Sequence, residues 1–370
     1  MKTELSAQEA AVLEIIRANP FAGQQEIAGE MGLARSTIAA HIVQLIQKGY
    51  LLGRGYLLPD AQRAVCVGGA VLDRKYHAHR PLIEGTSNPV NGSRSFGGVA
   101  RNVAENLALL GTPTSFVSIV GDDETGRQLL RHLRDRGVDV SQVITSSEKP
   151  TAEYAAVLDP AGDLAYGIAD MGIFDLFAPA HLDRIWPHLA SASWVFADCN
   201  LPGETLQGLI SRKHAVGFKL AVDAVSTPKV AKLPQSLNGI DLIFMNLDEA
   251  RAYLKTDFGS GPEAAKKAAQ GLLAAGAGES VVSIGSNGIA VANGQRAAAF
   301  PAVTANVVDI TGAGDAMIAG TLHNLLSGEN IFTAARIGAL IGTLTTESDA
   351  SVCSELSENF VRANMHRMPA

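Results

Sequence analysis

The chain has 370 residues, of which 47% are hydrophobic and 18% are charged, and its formal net charge is −7. This composition predicts a large α/β domain with a small companion, excludes a disordered chain, and argues against general attraction to nucleic acids or membranes. Three widely separated cysteines, no signal-like apolar core near the start and no apolar run long enough to span a bilayer together predict a cytoplasmic protein with buried thiols.

Residues 1–60 predict a small head of three helices and a hairpin. Ser6, followed by Glu9 at capping-box spacing, predicts the start of the first helix. A second helix is expected over QQEIAGEMG, and a third over ARSTIAAHIVQLIQKG, which ends at Gly49. YLLGRGYLLP then predicts two short strands around residues 53–55.

Three helices and a hairpin resemble the winged helix-turn-helix domain of bacterial regulators. In that geometry the third helix enters the major groove of DNA and would offer Arg35, Ser36, Thr37 and His41, with Arg54 at the wing tip. The head carries five basic and six acidic side chains, however, which departs from the basic surface of most DNA-binding domains. The alternative is a head that no longer binds DNA or that contacts another protein instead.

Residues 61–370 predict the large domain. Short apolar runs such as AVCVGGAV, ASWVFADC and DLIFMN alternate with helical stretches, which is typical of a doubly wound, mostly parallel sheet covered on both faces. Two further stretches, at 73–95 and 151–171, predict strand pairs that form a small β flap. In such sheets ligands bind beyond the carboxyl ends of the strands.

The segment DITGAGDAMIAG predicts the reactive centre. Gly312, Ala313 and Gly314 suit a tight turn into a helix, and their N–H groups would hold phosphoryl oxygens. Asp315 would repel a phosphate but can accept the proton of a hydroxyl, as phosphoryl transfer to an alcohol requires. The alternative is an ordinary helix N-terminus with an acidic first turn.

The order of motifs from residue 63 onward resembles the ribokinase-like (PfkB) carbohydrate kinases. The resemblance implies ATP-dependent transfer, with Asp315 as catalytic base and the loop before it as anion hole. It also implies that Asp73 accepts hydrogen bonds from two sugar hydroxyls, and that Asn102 and the backbone of Gly97 and Gly98 bind the others. The alternatives are a turn acid for Asp73 and a solvent-facing helix residue for Asn102.

The same resemblance implies a nucleotide side of the site. Asn246 and Glu249 match an N-x-x-E element that acts on Mg²⁺ and phosphate through water, with a helix-capping acid as the alternative. Gly285 and Gly288 match the nucleotide-side turn, and Asn200 is a candidate phosphate contact. Lys229 is expected to be a phosphate contact, a structural cation or a solvated surface residue.

Many members of the family need a monovalent cation such as K⁺ beside the anion hole. The matching positions are Asp309, Thr311, Thr346 and Ser351, largely through backbone oxygens. Asp349 stands where an uncharged residue is common, so the resemblance leaves the need for K⁺ open.

Several stretches, including SNPVNGSRSFGGVARNVAENLALLG and ADCNLP, look most like pseudouridine kinases. This implies a nucleoside substrate phosphorylated on its 5′-hydroxyl, with ribose or another sugar as the alternative. A second alternative is a transcriptional regulator whose kinase-like body only senses its ligand. We expect a homodimer, because the exposed edges of the flap strands can pair with a second copy.

Overall fold

The computed structural model describes residues 4–20, 22–52 and 62–369. Within these ranges the chain forms a small helical head and a large α/β body, and it contains no helix long and apolar enough to cross a membrane. The expected wing strands around residues 53–55, with Arg54, lie outside the described residues, as does the expected boundary at Asp60.

The head contains α1 (Ala7–Ala18), α2 (Gln24–Met31) and α3 (Arg35–Gln47). The capping box expected at α1 is confirmed, because the Glu9 N–H donates to Ser6 Oγ at 3.2 Å and the Ser6 N–H donates to the Glu9 carboxylate at 2.7 Å. Apolar side chains from all three helices pack into one cluster that the body does not share. The head therefore has its own hydrophobic core.

The body consists of strands and helices that alternate along most of its length. Its strands are β1 (Ala64–Val67), β2 (Val71–Ala78), β3 (Val90–Gly97), β4 (Thr114–Val117), β5 (Ile119–Gly121), β6 (Ile144–Ser146), β7 (Glu153–Leu158), β8 (Leu164–Asp170), β9 (Trp194–Asp198), β10 (Lys219–Asp223), β11 (Leu242–Asn246), β12 (Glu279–Ser283), β13 (Ile289–Asn293) and β14 (Ala297–Phe300). Its helices are α4 (Val99–Leu109), α5 (Glu124–Asp135), α6 (His181–Ser191), α7 (Gly203–Arg212), α8 (Leu247–Leu254), α9 (Pro262–Ala274), α10 (Ala313–Leu326), α11 (Ile331–Thr346) and α12 (Glu358–Asn364).

An eight-stranded sheet in the order β14-β13-β12-β11-β10-β9-β1-β4 forms the centre of the body. Its strands run parallel except at the β12-β13-β14 edge. Side chains of β1 alternate between two hydrophobic clusters: Val65 and Val67 pack with α6, α7, α8 and α9, whereas Ala64 and Cys66 pack with α4, α5 and α10. The expected doubly wound sheet is therefore confirmed.

The flap is a four-stranded sheet in the order β3-β2-β7-β8. Both expected strand pairs are present, and parallel pairing of β2 with β7 joins them, with Asp73 opposite Tyr154. Because of this pairing, the flap is one continuous sheet. One face of this sheet covers the carboxyl ends of the central strands.

The end of α3 contacts the body. A Cβ atom at Gly49 would lie 2.1 Å from the carbonyl carbon of Ala190 in α6, so only a glycine permits this approach. The head therefore rests on the helix that packs beneath β1 and β9, although its core is separate.

Candidate active site

The anion loop comprises residues 309–314 and leads directly into α10. Gly312 has a φ of 80°, and a Cβ atom there would lie 1.9 Å from the carbonyl oxygen of Ser351. A side chain is therefore excluded at this position. A Cβ at Gly314 would meet nothing within 4 Å, which leaves open space beside the first turn of the helix. The first N–H groups of a helix lack intrahelical partners, which suits this end of α10 to an anion, although the Ala313 N–H donates to the Ile310 carbonyl at 3.3 Å.

Asp315 lies in the first turn of α10, beside that open space. Burial raises the pKa of its carboxyl to about 7, although a hydrogen bond from Asn102 and the charge of Arg101 act in the opposite direction. Asn102 Nδ2 donates to Asp315 Oδ2 at 2.6 Å. A carboxylate with a pKa near the working pH is well suited to accept a proton.

Asn102 makes a contact that the sequence did not predict, since its amide N–H donates to the expected base. The side chain is only 4% exposed, and its Oδ1 has no hydrogen-bond partner among the described residues. Buried polar atoms are normally satisfied, so this oxygen is an acceptor without a partner at the wall of the cavity. Asn102 thus orients Asp315, and its contact with a sugar hydroxyl stays a prediction.

A cavity of about 500 Å³ lies between the flap and the anion loop. Nine of the residues expected in the site line it: Asp73, Gly98, Asn102, Asn200, Lys229, Asp309, Thr311, Asp315 and Ser351. Gly97 lies behind them, against the Asp73 carboxylate. The other expected residues do not line this cavity: Asn246, Glu249, Gly285, Gly288, Gly312, Ala313, Gly314 and Thr346.

Asp73 enters the cavity from β2 of the flap. Burial raises the pKa of its carboxyl to about 6, while the charges of Arg101 and Lys75 lower it. An ionised carboxylate only accepts hydrogen bonds, and two adjacent hydroxyls match its two oxygens. Asp73 and Asp315 thus line the same cavity, and the binding of sugar hydroxyls by Asp73 stays a prediction.

The body matches the model of the pfkB family carbohydrate kinases over residues 61–355. The chain belongs to this family. Residues 6–51 of the head match a winged helix-turn-helix DNA-binding model, as expected. The protein is thus a phosphotransferase of the family that contains sugar and nucleoside kinases. It carries an N-terminal winged helix-turn-helix domain.

Three known proteins show how far the similarity extends. Pseudouridine kinase of Escherichia coli K12 is 31% identical over 301 residues, which cover 79% of this chain and 95% of that protein. An uncharacterized sugar kinase of the same organism, YeiI, is 34% identical over 66% of this chain and 67% of its own length. A carbohydrate kinase from Agrobacterium tumefaciens has a TM-score of 0.74 at 31% identity, covering 83% of this chain and 98% of that one.

Asn246 and Glu249 of the pfkB kinase bind each other. The Glu249 N–H donates to Asn246 Oδ1 at 2.9 Å, and the Asn246 N–H donates to Glu249 Oε2 at 2.8 Å. This reciprocal cap starts α8, so the helix-capping interpretation is confirmed. A role toward Mg²⁺ stays a prediction, and no group of three acidic, histidine or cysteine side chains in the described part of the chain could hold a metal ion.

Acidic side chains concentrate at the carboxyl ends of the central strands. Burial raises the pKa of Asp223, and the charges of Glu249, Asp315 and Asp198 raise it further. Burial likewise raises the pKa of Glu249. The kinase therefore presents a field that favours a cation arriving with the nucleotide.

The Asp198 carboxylate holds several chain segments together, although the sequence analysis did not single it out. Its carboxylate accepts N–H groups of Gly69 at 2.9 Å, Ala100 at 2.8 Å and Asn200 at 2.9 Å. It thereby joins the ends of β1 and β9 to the start of α4. An acid that ends a fully apolar run, as in WVFAD, was the signal that could have identified it.

Asn200 and Lys229 lie together on the cavity wall. Lys229 Nζ donates to Asn200 Oδ1 at 2.5 Å, and burial lowers the pKa of the lysine. A solvated surface lysine is therefore excluded. Gly285 and Gly288 flank the turn between β12 and β13, and their contact with a nucleotide stays a prediction.

Some oxygens of the residues expected to bind K⁺ already accept hydrogen bonds. Asp309 Oδ1 accepts both the N–H of Thr311 at 2.8 Å and its hydroxyl at 2.6 Å, while Asp309 Oδ2 accepts Lys75 Nζ at 2.5 Å. The Thr346 carbonyl accepts the N–H groups of Val308 at 2.8 Å and Asp309 at 3.2 Å. These hydrogen bonds occupy the Asp309 carboxylate and the Thr346 carbonyl in part, and K⁺ binding through the backbone oxygens of this loop stays a prediction.

Arg101 connects the substrate side to the anion loop. It is 2% exposed and donates to the carbonyls of Phe96 and Gly97, to the Glu105 carboxylate, and to Ser351 Oγ at 3.4 Å. The sequence analysis missed it, since a buried arginine has no pattern of its own. The positive charge of Arg101 lowers the pKa of both Asp73 and Asp315.

The head presents the start of α3 to solvent. Arg35 and Ser36 are exposed, whereas Thr37 and His41 are half-buried. The His41 ring lies 3.1 Å from Gln8 Oε1 of α1, so it also holds the two helices together. Two of the expected DNA contacts are therefore freely presented by the described part of the head.

Proposed function

We propose that this kinase transfers the γ-phosphoryl group of ATP to the 5′-hydroxyl of a nucleoside, with pseudouridine as the preferred substrate. The observation that carries the proposal is the Asp315 carboxyl, which has a pKa of about 7 and lies beside the open anion loop. The similarity to a pseudouridine kinase along 95% of that protein supports the substrate. A body that only senses a ligand would not need a base at this loop.

The proposed reaction gives each of these groups a role. Asp73 accepts two ribose hydroxyls, which directs the 5′-hydroxyl toward Asp315. Asp315 takes the hydroxyl proton as the 5′-oxygen bonds to the γ-phosphorus, and the bond from that phosphorus to the oxygen bridging to ADP breaks. N–H groups of Gly312, Ala313 and Gly314 face the phosphoryl oxygens as charge develops.

Mg²⁺ fits the chemistry of the nucleotide side, where burial and neighbouring acidic side chains raise the pKa of both Asp223 and Glu249. Bound with ATP, it would neutralise phosphate charge. These two carboxylates would hold it through water, in keeping with its slow dehydration. The chain itself orients the acceptor, excludes water beneath the flap and holds the proton at Asp315.

The test is the rate of ADP formation with a panel of nucleosides and sugars under identical conditions. Pseudouridine is expected to give the highest kcat/KM. A higher value for ribose would assign the chain to the sugar kinases of the family, and a higher value for uridine or a purine nucleoside would assign another nucleoside. Absence of turnover with every compound, combined with tight nucleoside binding, would instead favour a sensor.

The winged helix-turn-helix match supports a second role in which the head binds DNA weakly. Arg35→Ala is expected to weaken operator binding by about tenfold, because one lost arginine contact costs roughly 1–3 kcal/mol. The measurement is fluorescence anisotropy at low salt with DNA from the region upstream of the protein's own gene. Arg17→Ala is the matched control, since Arg17 pairs with Glu14 on α1. No preference over random duplex and no effect of Arg35→Ala would contradict this role.

We also propose a homodimer formed through the flap. The edge strand β8 exposes Leu164, Tyr166 and Ile168, which are 58%, 53% and 62% exposed. Apolar side chains on a sheet edge favour pairing with a second copy. Ile168→Asp is expected to give a monomer in analytical ultracentrifugation, whereas Ala161→Asp in the neighbouring turn should leave the dimer intact. A parent chain that sediments as a monomer would contradict the proposal.

A further inference from the structure

Lys75 reaches from the flap to the anion loop. It lies two residues after Asp73 on β2, so both side chains point to the same face of the flap and line the same cavity. Lys75 Nζ lies 2.5 Å from Asp309 Oδ2 and 3.5 Å from Thr311 Oγ1. An ammonium group thus contacts the side chain of Asp309, a residue of the segment that was expected to bind K⁺.

Several of the surrounding oxygens already take part in hydrogen bonds. Thr311 donates twice to Asp309 Oδ1, and two backbone N–H groups donate to the Thr346 carbonyl. Ser351 Oγ donates to the Phe96 carbonyl at 3.2 Å and accepts from Arg101. A desolvated K⁺ needs several such oxygens at once, whereas an ammonium needs acceptors for only three N–H groups.

An ammonium can supply what a monovalent cation supplies at this place. Either an ammonium group or a K⁺ ion places one positive charge beside Asp309, which lies three residues before Gly312. This charge stabilises the folded conformation of the anion loop. A tethered charge has a high effective concentration that does not depend on the salt in the medium. The tether also joins the loop to the strand that carries Asp73.

We propose that the Lys75 ammonium takes the place of a monovalent cation beside the anion loop, so that the enzyme works without K⁺. The inference rests on the proposed kinase function for its rate measurement. Its stability measurement does not depend on that function.

The first experiment measures turnover and the thermal unfolding midpoint at constant ionic strength in tetramethylammonium chloride and in KCl. The parent protein is expected to show the same turnover and the same midpoint in both salts. Lys75→Met is expected to lose about tenfold or more in turnover without K⁺, equivalent to one lost charge-assisted hydrogen bond. KCl should restore part of that loss and should raise the midpoint of this variant only, because an ion that binds the folded state stabilises it.

Two further variants make the result specific. Lys75→Arg keeps the charge and should stay independent of K⁺. Lys149→Met removes the same charge from a lysine of similar exposure, 42% against 40%, that contacts the Gly172 carbonyl and Asp175 outside the cavity. It should match the parent in both salts.

Three results would overturn the inference: a parent whose turnover or midpoint rises with K⁺, a Lys75→Met variant equal to the parent without K⁺, or a loss in Lys75→Met that K⁺ does not restore. The last result would make Lys75 a substrate or phosphate contact. If the parent phosphorylates none of the compounds tested, the proposed function fails, and the midpoints alone still decide the role of Lys75.

Discussion

Asp315→Asn is expected to lower kcat by about 10²–10⁴-fold, the usual cost of losing a general base, while nucleoside affinity is retained. The substitution keeps the shape of the side chain and an oxygen that can accept the Asn102 N–H, which now spans 2.6 Å. It removes the group that takes the hydroxyl proton. Steady-state kinetics and isothermal titration calorimetry on the same preparation measure the two quantities separately.

The pH profile gives an independent signature of this base. Because burial raises the pKa of Asp315 to about 7, the ionised form prevails above that pH, and kcat/KM at low ATP should decline as the pH falls through about 7. Asp183→Asn, on the exposed surface of α6, is the matched control and should keep both the rate and the profile. A near-normal kcat in Asp315→Asn would show that another group accepts the proton.

Asp73→Ala is expected to lower kcat/KM for the nucleoside by about 10²-fold or more, since two hydrogen bonds to a charged acceptor are lost at roughly 1.5–3 kcal/mol each. The KM for ATP should change little, because Asp73 reaches the cavity from the flap, on the side where Asn102 and Gly98 lie. Initial rates with each substrate varied in turn separate the two effects.

Asp170→Ala is the matched control for this prediction. It removes an acid from β8 of the same flap sheet, at an exposed position that pairs with Glu153 and does not line the cavity. Its kinetics should equal those of the parent. An increase in the KM for ATP as large as that for the nucleoside in Asp73→Ala would contradict the assignment of Asp73 to the sugar.

Much of the fold could be predicted because its signals are local. The capping box at Ser6 and Glu9 and the Gly-rich turn before α10 depend on residues a few positions apart. The apolar runs of the central strands are long enough to identify a parallel sheet buried on both faces. The antiparallel hairpin β13–β14 and helices α6, α11 and α12 were not predicted, since alanine-rich or mixed stretches such as AVANGQRAAAF carry a weak period.

Chain order and motif spacing by themselves determined the family of the body and the helix-turn-helix head, and they predicted Asp315 as the base and Asp73 as the sugar ligand. Only the tertiary structure decided what those residues touch. Asn102 donates to Asp315, which lies 213 residues later in the chain, and Lys75 contacts Asp309, which lies 234 residues later. The Asp198 carboxylate accepts N–H groups from three separate segments. Contacts of this kind arise when flap, sheet and helix ends are folded together, because partners so far apart in the chain leave no periodic trace in the sequence.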